Sequence, residues 1–261
     1  MRILLLGGSS EASALARELA KLSIETVFSY AGRTAEPIAQ PVPVRIGGFG
    51  GVAGLRAYLA KHRIDRVVDA THPFAAGMSR NAVNACSAAG VALLALERPP
   101  WSQQPGDRWR SVPDNAAAAV DLPTTPARIF LAIGRQGLSE FAHRSEHHYL
   151  LRVVDPWPHD RPPPFQSCTI IVSRGPFSRQ TDATLMQTHG INWVVSKNAG
   201  GPMAGAKIEA ARELGLPVTM IARPTIPARD TVATVNEALT WLGLTRSDTA
   251  DHGATSTRLG V

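Results

Sequence analysis

Cysteine is almost absent: two in 261 residues, Cys86 and Cys168, far apart and outside any C-x-x-C spacing. That scarcity excludes a disulfide framework and a zinc ribbon and fits a reducing compartment. No run of five or six basic residues occurs, so the formal charge of +6 reads as dispersed arginine rather than a nucleic-acid groove, and small anions are the better partners. No apolar span is long enough for a membrane helix, and the chain enters a strand-like run without a basic lead or cleavage signal. The expectation is a cytoplasmic protein with no membrane or nucleic-acid partner. With 44% hydrophobic residues the chain can fill one large or two modest cores.

What is present begins at residue 2. Leu4 to Leu6 read as a buried parallel strand, Gly7 and Gly8 as a turn, and Ala12, Leu15, Ala16 and Leu19 as one face of a helix. A helix N-terminus offers unpaired N–H groups and a partial positive charge, so this turn can admit a pyrophosphate, with Ser9, Ser10 and Glu11 beside it. The G-x-G-x-x-G fingerprint is incomplete, because only Gly7 and Gly8 stand, with Ala12 where a third small residue permits close helix packing. The alternative is a first strand that merely turns through glycine. The second strand, Glu25 to Ser29, ends about twenty residues past the glycines, where an NAD site places an acid for the ribose hydroxyl. Here stand Ser29, Tyr30, Gly32 and Arg33 instead, a hydroxyl and a guanidinium suited to the 2′-phosphate of NADPH. Against that, Arg33 could be a solvated loop arginine.

Apolar runs alternate with helical patterns almost throughout, the order of an α/β protein with parallel sheets. We expect two Rossmann-like parallel-sheet domains with the active site in the cleft between them: residues 1–110 for the dinucleotide and 111–244 for the substrate. A second series is expected from Arg128 through helix Gly137 to Ala142 to a last helix from Val232 to Leu242. Residues 245–261 lack periodicity and read as a disordered tail.

Ligands of open α/β sheets sit beyond the carboxyl ends of the strands, so the strand-end loops carry the chemistry. One is Asp69-Ala70-Thr71-His72-Pro73-Phe74-Ala75. Three others put a cation beside glycine: Gly134-Arg135-Gln136-Gly137, Arg174-Gly175-Pro176-Phe177 and Lys197-Asn198-Ala199-Gly200-Gly201. A single such cation is usually solvated, but three facing one cleft would bind a polycarboxylate or polyphosphate. Lys207 and Glu209, two apart on a helix, do not face one another; they are either an exposed face or contacts to an outside partner.

In combination these residues resemble the precorrin-6A reductases of cobalamin biosynthesis. The resemblance runs to about Leu244 through Gly7-Gly8-Ser9-Ser10-Glu11-Ala12, the Asp69–Ala75 loop, the Arg174–Phe177 turn, and Ser196-Lys197-Asn198-Ala199-Gly200-Gly201 with Lys207-Ile208-Glu209-Ala210-Ala211. It implies reduction by NADPH of a double bond in the tetrapyrrole precorrin-6A, giving precorrin-6B. The family often carries Thr-Lys-x-Ser-Gly where this chain has Ser196-Lys197-Asn198-Ala199-Gly200, so Lys197 is retained and the hydroxyl at 199 is not.

The inventory suits that chemistry. Arg135, Arg174, Lys197 and Lys207 offer charge-assisted hydrogen bonds to ring carboxylates, with Glu209 nearby, and Gly200 and Gly201 let a flat ring approach the backbone. Thr71 and His72 lie at the cofactor, and His72 and Lys197 are the catalytic candidates. His72 is either the proton donor, since its ordinary pKa is near neutrality, or a holder of the nicotinamide or its own loop. Two rivals differ in kind: an NADP(H)-dependent dehydrogenase of another small anion, and a non-catalytic NADP-sensing module. Tyr30, Tyr58 and Tyr149 each lack a lysine four residues on, which weakens a short-chain dehydrogenase. His143, His147 and His148 lack an acid or cysteine in a metal pattern, and Trp101, Trp109 and Trp157 read as packing or cleft rim. No metal and no oligomeric state are read from the sequence.

Overall fold

The computed structural model describes residues 1–32, 36–158, 160–201 and 204–244. Arg33 and the expected tail lie outside the described residues.

The N-terminal series is β1 (Arg2–Leu6), α1 (Ser10–Lys21), β2 (Glu25–Tyr30), β3 (Val44–Ile46), α2 (Gly51–Lys61), β4 (Arg66–Asp69), α3 (Ala76–Ala89) and β5 (Ala92–Leu96). The second runs β6 (Arg108–Val112), α4 (Asn115–Val120), β7 (Arg128–Ala132), β8 (His148–Val153), β9 (Cys168–Val172), α5 (Arg179–Thr188), β10 (Trp193–Lys197), α6 (Ala206–Glu213) and β11 (Pro217–Ile221). It closes with β12 (Asp230–Val232) and α7 (Val235–Trp241). The helix expected from Gly137 to Ala142 is only a 3-10 turn, Leu138–Phe141.

Leu4, Leu5 and Leu6 are buried because helices cover both faces of the sheet they occupy. Ile3, Leu5 and Phe28 pack with Leu15 and Leu19 of α1, while Leu4 and Leu6 pack with Leu55 and Leu59 of α2. In the second sheet Ile129 and Leu131 face one core, and Phe130 faces the other with Val194 and Ile208. Alternation along one strand thus feeds both layers.

Both sheets have six parallel strands, in the orders β12-β5-β4-β1-β2-β3 and β6-β11-β10-β7-β8-β9. Each has the dinucleotide-fold order with its sixth strand supplied by the other series. β6 follows β5 in sequence but pairs with β11, and β12 follows β11 but pairs with β5. The expected division at residues 110 and 111 therefore needs correction. It cuts β6, which belongs wholly to the second sheet, and residues 230–244 return to the first. There Ala238 and Leu242 are buried in the α1 core.

The two crossing segments, between β5 and β6 and between β11 and β12, are fastened by the loop after β10. Asn198 accepts from the Trp101 N–H at 2.7 Å and donates to the Trp101 carbonyl at 3.0 Å. The Ala199 carbonyl accepts from Arg98 at 2.8 Å and Arg223 at 3.0 Å. Glu97 pairs with Arg223 at 2.8 Å and Arg229 at 2.9 Å.

Candidate active site

The carboxyl ends of the two sheets meet. Phe74, in the loop after β4, packs against the second core, and Arg174, after β9, donates to the Glu36 carbonyl of the first half at 3.1 Å.

At the end of β1, Gly7 lies so close to Phe28 that a Cβ there would sit 2.0 Å from the ring. Gly8, at φ 139°, would have nothing within 4 Å of a Cβ. The first glycine thus packs the turn and the second leaves open space before the N-terminus of α1, which fits a pyrophosphate. Ser9 is committed elsewhere. Its hydroxyl caps α1 by accepting from the Ala12 N–H at 3.1 Å and donates to the Ala70 carbonyl at 2.7 Å, so it welds the turn to β4. Ser10 is exposed, and its hydroxyl donates only to Glu11, at 3.0 Å. Glu11 turns towards Arg98, 2.6 Å away; although burial pushes the other way, this pairing and its backbone hydrogen bond hold the carboxyl below its ordinary range. Its carboxylate is thus tied to a crossing segment.

At the end of β2, Ser29 is buried and accepts from Arg45 at 2.7 Å, its partner in register on β3. The Tyr30 hydroxyl is occupied by the Ile38 carbonyl at 2.8 Å and the Gln40 amide at 2.6 Å.

After β4, Asp69 holds Thr71 through its hydroxyl at 2.7 Å and its N–H at 3.1 Å. His72 Nδ1 accepts from the Phe74 N–H at 3.2 Å, so in the neutral ring the proton sits on Nε2. Burial, then the charges of Arg98, Lys197, Lys207 and Arg223, bring the His72 pKa down to about 4. A pKa near 4 disfavours the imidazolium at neutral pH, and the neutral ring keeps its Nε2–H as a hydrogen-bond donor. The His72 ring lies 5.8 Å from that of Phe74, the side chain that packs against the second core.

Lys197, last residue of β10, is half-buried and donates to the Ile133 carbonyl at 2.8 Å, with its ammonium 5.5 Å from the Phe74 ring centre. Lys207, in the first turn of α6, is buried, donates to the Ala204 carbonyl at 2.6 Å and lies 4.9 Å from the Trp101 ring centre. Burial, with the nearby Arg152 and Arg98, brings its pKa down to about 8. Among the described residues neither lysine forms an ion pair, whereas Arg98 and Arg223 have Glu11 and Glu97. Lys207 has the Asp182 carboxylate near enough to favour its charge, and Lys197 has no carboxylate in direct contact among the described residues, so the latter ammonium is the better suited to a carboxylate from outside.

Other expected residues are placed differently. A Cβ on Gly200 would lie 2.0 Å from the Pro99 carbonyl oxygen, and one on Gly201 2.4 Å from Arg98. At these glycines the crossing segment passes close to the loop after β10. Arg135 is exposed and donates to the Asp155 and Pro156 carbonyls, tying down the proline loop near Trp157. Arg174 is exposed and bridges the halves, and Glu209 is exposed on α6, on the opposite side from Lys207. His147 and His148 serve the second sheet, hydrogen-bonded to Ala127 and to Ser167 and Thr169, and no metal-holding cluster exists among the described residues. Arg98, Arg223 and Arg45 were not singled out from sequence. The first two follow β5 and β11 and obey the same strand-end rule as Lys197.

Comparison with known proteins agrees with this arrangement. A family model described as precorrin-6x reductase CbiJ/CobK matches residues 2–243. The precorrin-6A reductase of Rhodobacter capsulatus is 56% identical over 254 residues, covering 97% of this chain and 98% of that protein. That of Rhodococcus erythropolis is 47% identical over 248 residues, covering 94% and 99%. A solved structure described as CobK precorrin-6A reductase superposes with a TM-score of 0.90 at 56% identity, covering 93% of this chain and 96% of that one. The likeness spans both sheets and both crossing segments, and the chain belongs to the precorrin-6x reductase family.

Proposed function

We propose that this chain reduces a carbon–carbon double bond in the macrocycle of precorrin-6A, giving precorrin-6B, in cobalamin biosynthesis. As a reductase of this family it draws on a nicotinamide cofactor, and the cofactor we assign is NADPH. The observation that carries the reading is the open glycine turn after β1, tied by Ser9 to the loop in which Phe74, beside His72, meets the Lys197 ammonium of the second half.

Gly7, Gly8, the exposed Ser10 and the first N–H groups of α1 would hold the pyrophosphate, with Ser29 beneath the adenosine ribose. NADPH bound there supplies the hydride. Everything else falls to the chain. Lys197 and Lys207 bind ring carboxylates as ammonium groups that form no direct ion pair among the described residues, and Arg174 adds a contact from the opposite rim. Thr71, held by Asp69, fixes the loop that presents the His72 Nε2–H to the cofactor or ring. A proton must reach the carbon next to the one reduced. Lys197 is its donor in this reading, because burial lowers the ammonium pKa and eases release. The closely packed halves exclude water from the reacting carbons.

No helix among the described residues is long and apolar enough to cross a membrane, and two isolated cysteines suit the cytoplasm, where we place the enzyme. The test is anaerobic incubation with precorrin-6A and NADPH, following ring and cofactor absorbance. Stoichiometric NADPH loss with a changed ring spectrum supports the proposal. NADPH binding without consumption would favour a sensing module, and turnover of a small ketone with silence towards precorrin-6A would favour another dehydrogenase.

A further inference from the structure

Arg45 is a half-buried guanidinium that nothing above uses. It lies on β3 directly opposite Ser29, the residue that replaces the ribose-binding acid of an NAD site. Nη1 donates to the Ser29 hydroxyl at 2.7 Å and the Gly47 carbonyl at 2.9 Å, and Nη2 to the Gly48 carbonyl at 3.1 Å. The group lies 3.8 Å from the Phe49 ring centre and 5.3 Å from that of Tyr58. Its plane is therefore held by ring and backbone, and its acceptors are all neutral. Among the described residues no carboxylate pairs with it. A guanidinium has five N–H donors; three are engaged, leaving the Nε–H and one on Nη2. A rigid, partly desolvated cation with spare donors is complementary to a phosphate monoester dianion.

We propose that Arg45 is the specificity-determining residue that reads the 2′-phosphate of NADPH, with Ser29 setting its orientation. This rests on the nicotinamide reading above and deepens it. An acid at position 29 would clamp the guanidinium and repel the phosphate. Serine accepts one hydrogen bond and leaves the charge available, so the missing acid and the half-buried arginine are two parts of one device. Phe49 and Tyr58 fix the plane by cation–π contact, which lessens the ordering cost when phosphate binds.

The test uses the purified full chain and calorimetric binding of two adenosine-side fragments, 2′,5′-ADP and 5′-ADP, with NADPH and NADH as whole cofactors. The wild type should prefer 2′,5′-ADP. Arg45→Met should reduce that preference roughly 10- to 100-fold, the range expected for lost hydrogen bonds to a charged group, with 5′-ADP binding unchanged within about twofold. Arg45→Lys, which keeps the charge and loses the fork, should fall between, and it carries the test if the methionine variant unfolds. Equal losses for both fragments would mean that Arg45 holds the turn or stacks on adenine, and an unchanged ratio would mean that the phosphate lies elsewhere; either overturns this proposal alone. A wild type that binds neither NADPH nor NADH overturns the nicotinamide reading and this proposal together.

Discussion

Replacing Gly200 with alanine tests whether the loop after β10 is built for a ligand or for the chain's own crossing segments. Gly200 has φ 69°, where an L residue costs about 1–2 kcal/mol. Its new Cβ would lie 2.0 Å from the Pro99 carbonyl oxygen and 2.6 Å from Arg223 Nη2. Arginine can swing aside, but the carbonyl is backbone, and forcing it away adds about 1–3 kcal/mol of overpacking. The sum is about 2–5 kcal/mol, or a fall in Tm of about 5–15 °C for a chain of this size. Gly215→Ala is the internal control. That glycine has φ 63° but nothing within 4 Å of a Cβ, so it bears the backbone term alone and should lose only a few degrees. Differential scanning calorimetry on both variants, with precorrin-6A affinity measured alongside, separates the two ideas. If Gly200→Ala melts with Gly215→Ala and loses only ring affinity, the glycine admits the macrocycle and our packing argument is wrong.

Three further perturbations probe the charges. His72, at about 4 folded against 6.5 unfolded, leaves the unfolded chain with more bound protons between those values. Stability should therefore fall by up to about 3 kcal/mol as pH drops from 6.5 towards 4, and His72→Gln should flatten that part of a urea-midpoint profile; an unchanged slope refutes the assignment. Lys207, at about 8, should lose its charge as pH rises through that value, so KM for precorrin-6A should climb between pH 7 and 9. Lys207→Met should raise KM about 10- to 100-fold and remove the pH dependence, and a variant that keeps the wild-type profile would exclude this lysine. Arg98→Met strands Glu11 without its cationic partner and should cost about 2–4 kcal/mol, whereas adding Glu11→Gln should recover part of it; additivity of the Arg98→Met and Glu11→Gln single variants in thermal unfolding would mean that the pair contributes little.

The limits of the sequence reading fall at particular residues. Leu4 to Leu6 announce a central strand because burial on both faces requires an unbroken apolar run. β6 reads Arg108-Trp109-Arg110-Ser111-Val112, with three of five residues exposed, and β12 has three residues. Edge strands of this kind carry hydrogen bonds but little apolar patterning, so periodicity could not reveal that the sheets trade them. The final helix was legible; the sheet it covers was not. Ser9 was expected at phosphate because it stands beside glycine; its hydroxyl also caps its own helix, a second role that position alone did not reveal.

The same trade explains why the cations were only half legible. Strand-end reasoning finds Lys197 because β10 is apolar, and it would find Arg98 and Arg223 equally well, since each follows a buried strand. What sequence does not show is that Arg98 and Arg223 begin the two crossing segments and that both donate to the Ala199 carbonyl, two residues beyond Lys197. The fastening of the halves and the placement of Lys197 thus occupy consecutive residues of one loop. Any opening of the halves must break Asn198 from Trp101 and Ala199 from both arginines before Lys197 can move relative to His72. On the proposed reading, the exchanged strands hold these cations together in advance, so the ordering cost of gathering like charges would be met in folding and not when a ring binds.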